Sequence, residues 1–94
     1  MQAMHLIGLG NIQYLQDDYK SAEATLLEGL RKIQLVGDLY WEGQAHIVLG
    51  RLYKAQKMRT QAIEHYTLAK GIFTKTGSKD YLNASKQELD DLLK

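Results

Sequence analysis

Two kinds of side chain in this sequence could do chemistry: a row of aromatic, amide and cationic residues at helical spacing, and three scattered histidines. Tyr40, Gln44, Ile47, Arg51 and Lys54 recur every three or four positions and so share one face of a helix. Met4, Ile7, Asn11 and Tyr14 form the matching row upstream, and Ala84, Gln87 and Asp91 the row downstream. Such a mixture suits a bound peptide, because Asn11 and Gln44 can bond its backbone while Arg51 and Lys54 pair with its acidic groups. The expected partner-binding residues are therefore Asn11, Tyr14, Tyr40, Gln44, Ile47, Arg51, Lys54 and Gln87.

Catalytic and metal chemistry find less support. His5, His46 and His65 stand on three different predicted helices without the short spacings of a zinc site, so they read as structural. The pairs Asp17-Asp18 and Asp90-Asp91 are adjacent, point apart on a helix or turn, and cannot share a proton at one reacting centre. No serine sits in a nucleophile elbow, and Gly8-Leu9-Gly10 lacks the third glycine and preceding strand of a dinucleotide site. The expectation is a non-enzymatic chain with no metal and no cofactor.

These rows need helices to carry them, and the apolar periodicity supplies five. From Gln2 to about Gln16, Leu6, Leu9, Ile12 and Leu15 form one stripe, with Met4 and Ile7 a second. Gly8 and Gly10 each cost about 1 kcal/mol against alanine in a helix interior. Gly10 allows a partner helix to approach closely, whereas Gly8 has no evident reason. Asp18 predicts an N-cap for a helix over Tyr19–Val36, with Ala22, Leu26, Ile33 and Val36, joined by Leu27 and Leu30, facing inward. Gly37 is placed as a left-handed C-terminal cap, and Asp38 as the next N-cap.

A third helix, about Leu39–Ala55, turns Ala45, Val48, Leu49 and Leu52 inward, with Gly50 at the close contact to Ala62. After an uncapped turn at Lys57 and Met58, a fourth helix, about Arg59–Thr76, carries Ala62, Ile63, Tyr66, Ala69, Ile72 and Phe73. Gly77 ends it, and Ser78 caps a fifth over Lys79–Leu93. That helix holds Tyr81, Leu82, Leu89, Leu92 and Leu93 on one side and Lys86, Gln87, Glu88, Asp90 and Asp91 on the other. A two-sided last helix suits the end of a stack. The first helix leaves apolar residues uncovered, so either more chain precedes it or Met4 and Ile7 pair with a second copy.

A shift of 40 residues superimposes Leu9-Gly10 on Leu49-Gly50, Ala22 on Ala62, Ile7 on Ile47 and Gly37 on Gly77. It also carries Leu49 to Leu89 and Leu52 to Leu92 in a shorter third copy. A period of this size points to stacked supersecondary units. Leu49-Gly50-Arg51-Leu52-Tyr53 followed by Ala62-Ile63-Glu64-His65-Tyr66 resembles the tetratricopeptide repeat in its lengthened, 40-residue form. His46 stands where that family has Trp, Gln13 where the first copy would have Tyr, and the chain has no proline.

The resemblance implies an all-α fold of antiparallel helix-turn-helix repeats stacked as a right-handed α-solenoid, about five helices with a C-terminal capping helix. One domain would span residues 1–94, with repeat one at about 3–37, repeat two at about 43–77 and the capping helix at about 78–94. It further implies a scaffold that binds a protein or peptide on the concave surface, lined by the first helix of each pair. A carboxylate clamp known in one sub-family is not implied. Asn11 matches one of its places, but Ile7 and Val48 occupy places that need lysine and asparagine.

Composition narrows the partners. Twelve basic and eleven acidic residues leave a net charge of +1, so no global field draws nucleic acid or an anionic membrane. A 45% hydrophobic and 24% charged chain is ordinary for a globular domain. The first residues lack the cationic start and unbroken apolar run of a signal or membrane segment. The absence of cysteine excludes a disulfide framework and leans toward a cytoplasmic setting.

Overall fold

The computed structural model describes residues 3–94, and these form an all-α arrangement of five helices: α1 (Ala3–Leu15), α2 (Tyr19–Val36), α3 (Leu39–Ala55), α4 (Arg59–Thr76) and α5 (Lys79–Leu93). Helices α2 to α5 have the bounds expected from the sequence, and α2 and α4 are related by the 40-residue shift at both ends. Turns of two or three residues force each helix back against its predecessor. The tightest associations are within α1/α2 and α3/α4, then α4 with α5 and α2 with α3. The radius of gyration, 12.3 Å, is that of a compact chain of this length, and the extents, 35 × 29 × 18 Å, make it flat rather than round. Among the described residues no helix is long and apolar enough to cross a membrane.

The turns share one device. A left-handed residue recurs every twentieth position, at Asp17 (φ 62°), Gly37 (φ 82°), Lys57 (φ 61°) and Gly77 (φ 73°). At the second and fourth of these glycine adopts the conformation without a Cβ clash, as the sequence predicts. At the first and third an ordinary side chain is held there by the amide of the next residue. Asp18 N donates to Gln13 O at 2.9 Å and Met58 N to Tyr53 O at 2.8 Å.

Helix starts are less well capped than expected. Asp38 Oδ1 accepts from Trp41 N at 3.2 Å, but Asp18 occupies its N-cap place without a side-chain bond. Nearby, Asp17 Oδ1 instead accepts from the Tyr19 hydroxyl at 3.1 Å. Ser78 also fails to cap, because its hydroxyl pairs with that of Thr76 at 2.8 Å.

The core runs through both helix pairs, and Leu26, Leu49, Leu52, Tyr66 and Phe73 are among its fully buried side chains. Packing corrects the expected stripe of α1. Leu6, Ile7 and Gly10 face α2, whereas Leu9, Ile12 and Leu15 face outward, Ile12 at 52% and Leu15 at 69% exposure. The two stripes on α1 are both apolar, so periodicity could not choose between them. Leu27 and Val36 of α2, expected inside, are likewise exposed.

Within each pair a glycine on the first helix forms a notch. A Cβ at Gly10 would meet the Leu26 side chain, and one at Gly50 would lie 2.8 Å from Cε1 of Tyr66. The closest groups to Gly50 therefore belong to Tyr66, one turn beyond the expected Ala62, which is itself buried. Gly8 has nothing within 4 Å of such a Cβ. Gly50→Ala is expected to lower stability by about 1–3 kcal/mol, because the buried Tyr66 ring must move. Gly8→Ala should raise it by about 1 kcal/mol, since only helix propensity changes. Urea melts of both variants check the pair, and equal effects would contradict the notch.

Candidate functional site

Three of the expected binding residues come together. Tyr14 of α1 and Arg51 and Lys54 of α3 line a cleft of about 350 Å³ with Ala55, Tyr66 of α4 and Glu88 of α5. Helical spacing places Arg51 and Lys54 one turn apart, and contact between α1 and α3 brings Tyr14 beside them.

Glu88 organises the cleft. Arg51 donates to it through Nε to Oε1 and Nη2 to Oε2, both at 2.9 Å, in the planar fork that fits guanidinium to carboxylate. The Tyr66 hydroxyl donates to the same Oε1 at 3.1 Å. Bonding to Glu88 raises the Arg51 pKa above its ordinary value, with burial acting in the opposite sense. Burial, reinforced by the Glu88 charge, raises that of Tyr66. Lys54 is exposed, and among the described residues no acidic group lies within ion-pair reach of it. The cleft thus offers one free cation and the Tyr14 phenol, beside a guanidinium and a carboxylate that already engage each other and a buried Tyr66 hydroxyl bonded to that carboxylate.

The other expected residues stand elsewhere. Ile7 and Ile47 are only 2% exposed: Ile7 packs where Gly29 makes room, and Ile47 clusters with Ala69 and Phe73. Neither can touch a partner, because these places lie inside each helix pair and not on its open face. Ile7 is for the same reason unable to support self-association, while Met4 remains 40% exposed. Tyr40 turns toward α5, its hydroxyl 3.1 Å from that of Tyr81 and the two rings edge to face. Gln44 lies one turn on, with Nε2 buried and unpartnered among the described groups. Asn11 is half-buried and Gln87 is exposed, and neither lines the cleft.

Sequence reasoning placed Glu88 on the solvated side of α5 and treated Tyr66 as core alone. Nothing local distinguishes Glu88 from its neighbours Gln87 and Asp90. Its role follows from where α5 docks, which is fixed partly by Arg59 Nε donating to Leu92 O at 3.0 Å.

A second polar cluster lies between α3 and α4. His46 Nδ1 and His65 Nδ1 are 3.0 Å apart, and His46 Nε2 is 3.7 Å from Glu42. The Tyr53 ring lies 5.4 Å from that of His65, and its hydroxyl donates to Glu23 of α2 at 2.8 Å. Burial and then the Glu23 bond push the Tyr53 hydroxyl up to about 12. The register held a signal for the cluster, because a 40-residue shift carries Leu6 to His46 and Thr25 to His65. Among the described residues no group of three or more histidine or acidic side chains is arranged to hold a metal ion.

Glu88→Gln keeps the shape of the side chain but removes the charge from its three bonds with Arg51 and Tyr66. It is expected to cost about 1 kcal/mol in a urea melt, near the lower end for charged hydrogen bonds because Arg51 is part exposed. An unchanged midpoint would mean that solvent replaces the pair without loss. Comparison with models of known protein families and with curated proteins returns no match to this chain.

Proposed function

We propose that the chain is a non-enzymatic, tetratricopeptide-like module that binds a protein or peptide segment in the cleft between α1, α3 and α5. The observation that carries this reading is the convergence of Tyr14, Arg51 and Lys54, from two different helices, on one open hollow. Lys54 supplies a charge that no acidic side chain among the described residues neutralises, and Tyr14 supplies a flat apolar surface with a polar tip. An acidic peptide suits both. Glu88 already occupies Arg51, so Arg51 acts as a wall of the cleft that fixes α5, and Lys54 is the principal charge met by a ligand. A cytoplasmic setting fits the cysteine-free composition.

Peptides selected from a random library on the immobilised chain test this directly. The expected outcome is enrichment of acidic sequences whose affinity falls about tenfold or more in Lys54→Glu, with an unchanged melting temperature. Enriched peptides that bind Lys54→Glu as tightly as the parent chain would overturn the reading.

A second reading, an architectural or self-associating segment using α1, rests on a different observation. The α3 residues Ala45, Val48, Leu49 and Leu52 are buried, yet their counterparts His5, Gly8, Leu9 and Ile12 are exposed. Helix α1 also contains no aspartate, glutamate, lysine or arginine, so its open face meets no charge repulsion on pairing. Sedimentation at micromolar concentration decides it: a dimer dispersed by Ile12→Ser supports α1 pairing, and a monomer removes the self-associating form.

A further inference from the structure

We infer that His46 and His65 form an acid-sensitive latch that holds the second helix pair closed and has no counterpart in the first. The inference is independent of what the cleft binds.

The geometry sets the proton count. The ring centroids are 5.2 Å apart and the rings are inclined by 28°. That separation exceeds the 3.0 Å between the Nδ1 atoms by about two ring radii, so the rings meet edge to edge, nitrogen facing nitrogen. One Nδ1 must donate and the other accept. Glu42 Oε2 lies on the far side of His46, 3.7 Å from Nε2, which favours a proton on that nitrogen. His46 therefore accepts at Nδ1, and His65 donates. Two nitrogens facing each other this closely also leave no room for a metal ion between them.

The pair takes up one proton without breaking. Protonation of His65 at Nε2 leaves its Nδ1–H donating to His46, as a stronger, charge-assisted bond. A second proton has only His46 Nδ1 to occupy. There it replaces the acceptor lone pair with an N–H that faces the N–H of His65, and two cations then stand in contact.

The surroundings do not compensate. His46 is only 3% exposed. The charged and titratable groups facing the pair are Glu42 and Tyr53 from α3 and Glu64 from α4, with Glu23 of α2 reached through the Tyr53 hydroxyl. Of the carboxylates, Glu42 comes closest, and it is outside hydrogen-bond distance. Burial, followed by the nearby His65, lowers His46 to about 4 despite Glu42, and burial lowers His65 in the same direction.

The sign follows. Below the ordinary histidine value the unfolded chain takes up protons that the folded pair resists, so stability present at neutral pH falls as pH drops from about 6.5 toward 4. In the first pair the same places hold Leu6 and Thr25, which do not titrate. Acid thus loosens α3 against α4 and leaves α1 against α2. Because Arg51 and Tyr66 lie on those two helices, the cleft loses its walls as the latch opens.

Amide hydrogen exchange at pH 7 and at about pH 4.5, corrected for intrinsic rates, tests this against the double variant His46→Leu, His65→Thr, which copies the first pair. In the parent chain the protection of α3 and α4 should fall on the order of fifty-fold more than in the variant, from the His46 shift alone. An equal fall in both would overturn the latch. Should the variant not fold at pH 7, nuclear magnetic resonance titration of the parent chain decides. A His46 that protonates well below the ordinary histidine value supports the latch, and a His46 that titrates at that value overturns it.

Discussion

The close approach of the two helices in each pair is the constraint from which the rest of the molecule follows. At Gly10 and Gly50 the first helix lacks a Cβ, and Leu26 or Tyr66 of the second fills the notch. Dispersion forces reward this only at contact distance, so the notch fixes the depth and register of the pair. The second pair draws a further consequence from it. The large residue there is tyrosine, whose ring fills the notch while its hydroxyl reaches Glu88. Glu88 in turn holds Arg51, and the position of α5 is tied to the packing of α3 on α4.

One register carries two different chemistries. Leu6 and Thr25 become His46 and His65, and Ala3 with Ile33 becomes Gly43 with Phe73, where a Cβ on the glycine would strike the aromatic ring. In that second exchange, volume lost on one helix is regained on its partner, which is how a packed interior tolerates change between copies. Polarity is not balanced in the same way. The second pair holds two imidazoles where the first holds an aliphatic side chain and a hydroxyl that stays neutral, so the two halves share a shape but differ in their response to protons.

Much of the fold was legible because its signals are local. Left-handed glycines at 37 and 77, the aspartate cap at 38 and the alternation of apolar residues fixed four helices to their observed ends. Helix α1 was the exception. It is apolar around most of its circumference, so the sequence grouped Leu6 with Leu9, Ile12 and Leu15 and set Met4 with Ile7, whereas the covered face joins Leu6, Ile7 and Gly10. Only the presence of α2 on one side selects that face. The same ambiguity placed Ile7 and Ile47 on a binding face, when their side chains lie inside the helix pairs.

By itself, then, the order of residues determined the number of helices among the described residues, the bounds of α2 to α5 and the 40-residue kinship, since these depend on backbone conformation and on spacing along one helix. Packing decided which face of α1 is covered, which acid meets Arg51 and which two histidines touch. These are matters of distance between segments far apart in the chain. Glu88 and Arg51 are separated by 37 residues and His46 and His65 by 19, and no periodicity within a helix encodes such a pairing. It comes into being only when the glycine notches seat one helix on the next.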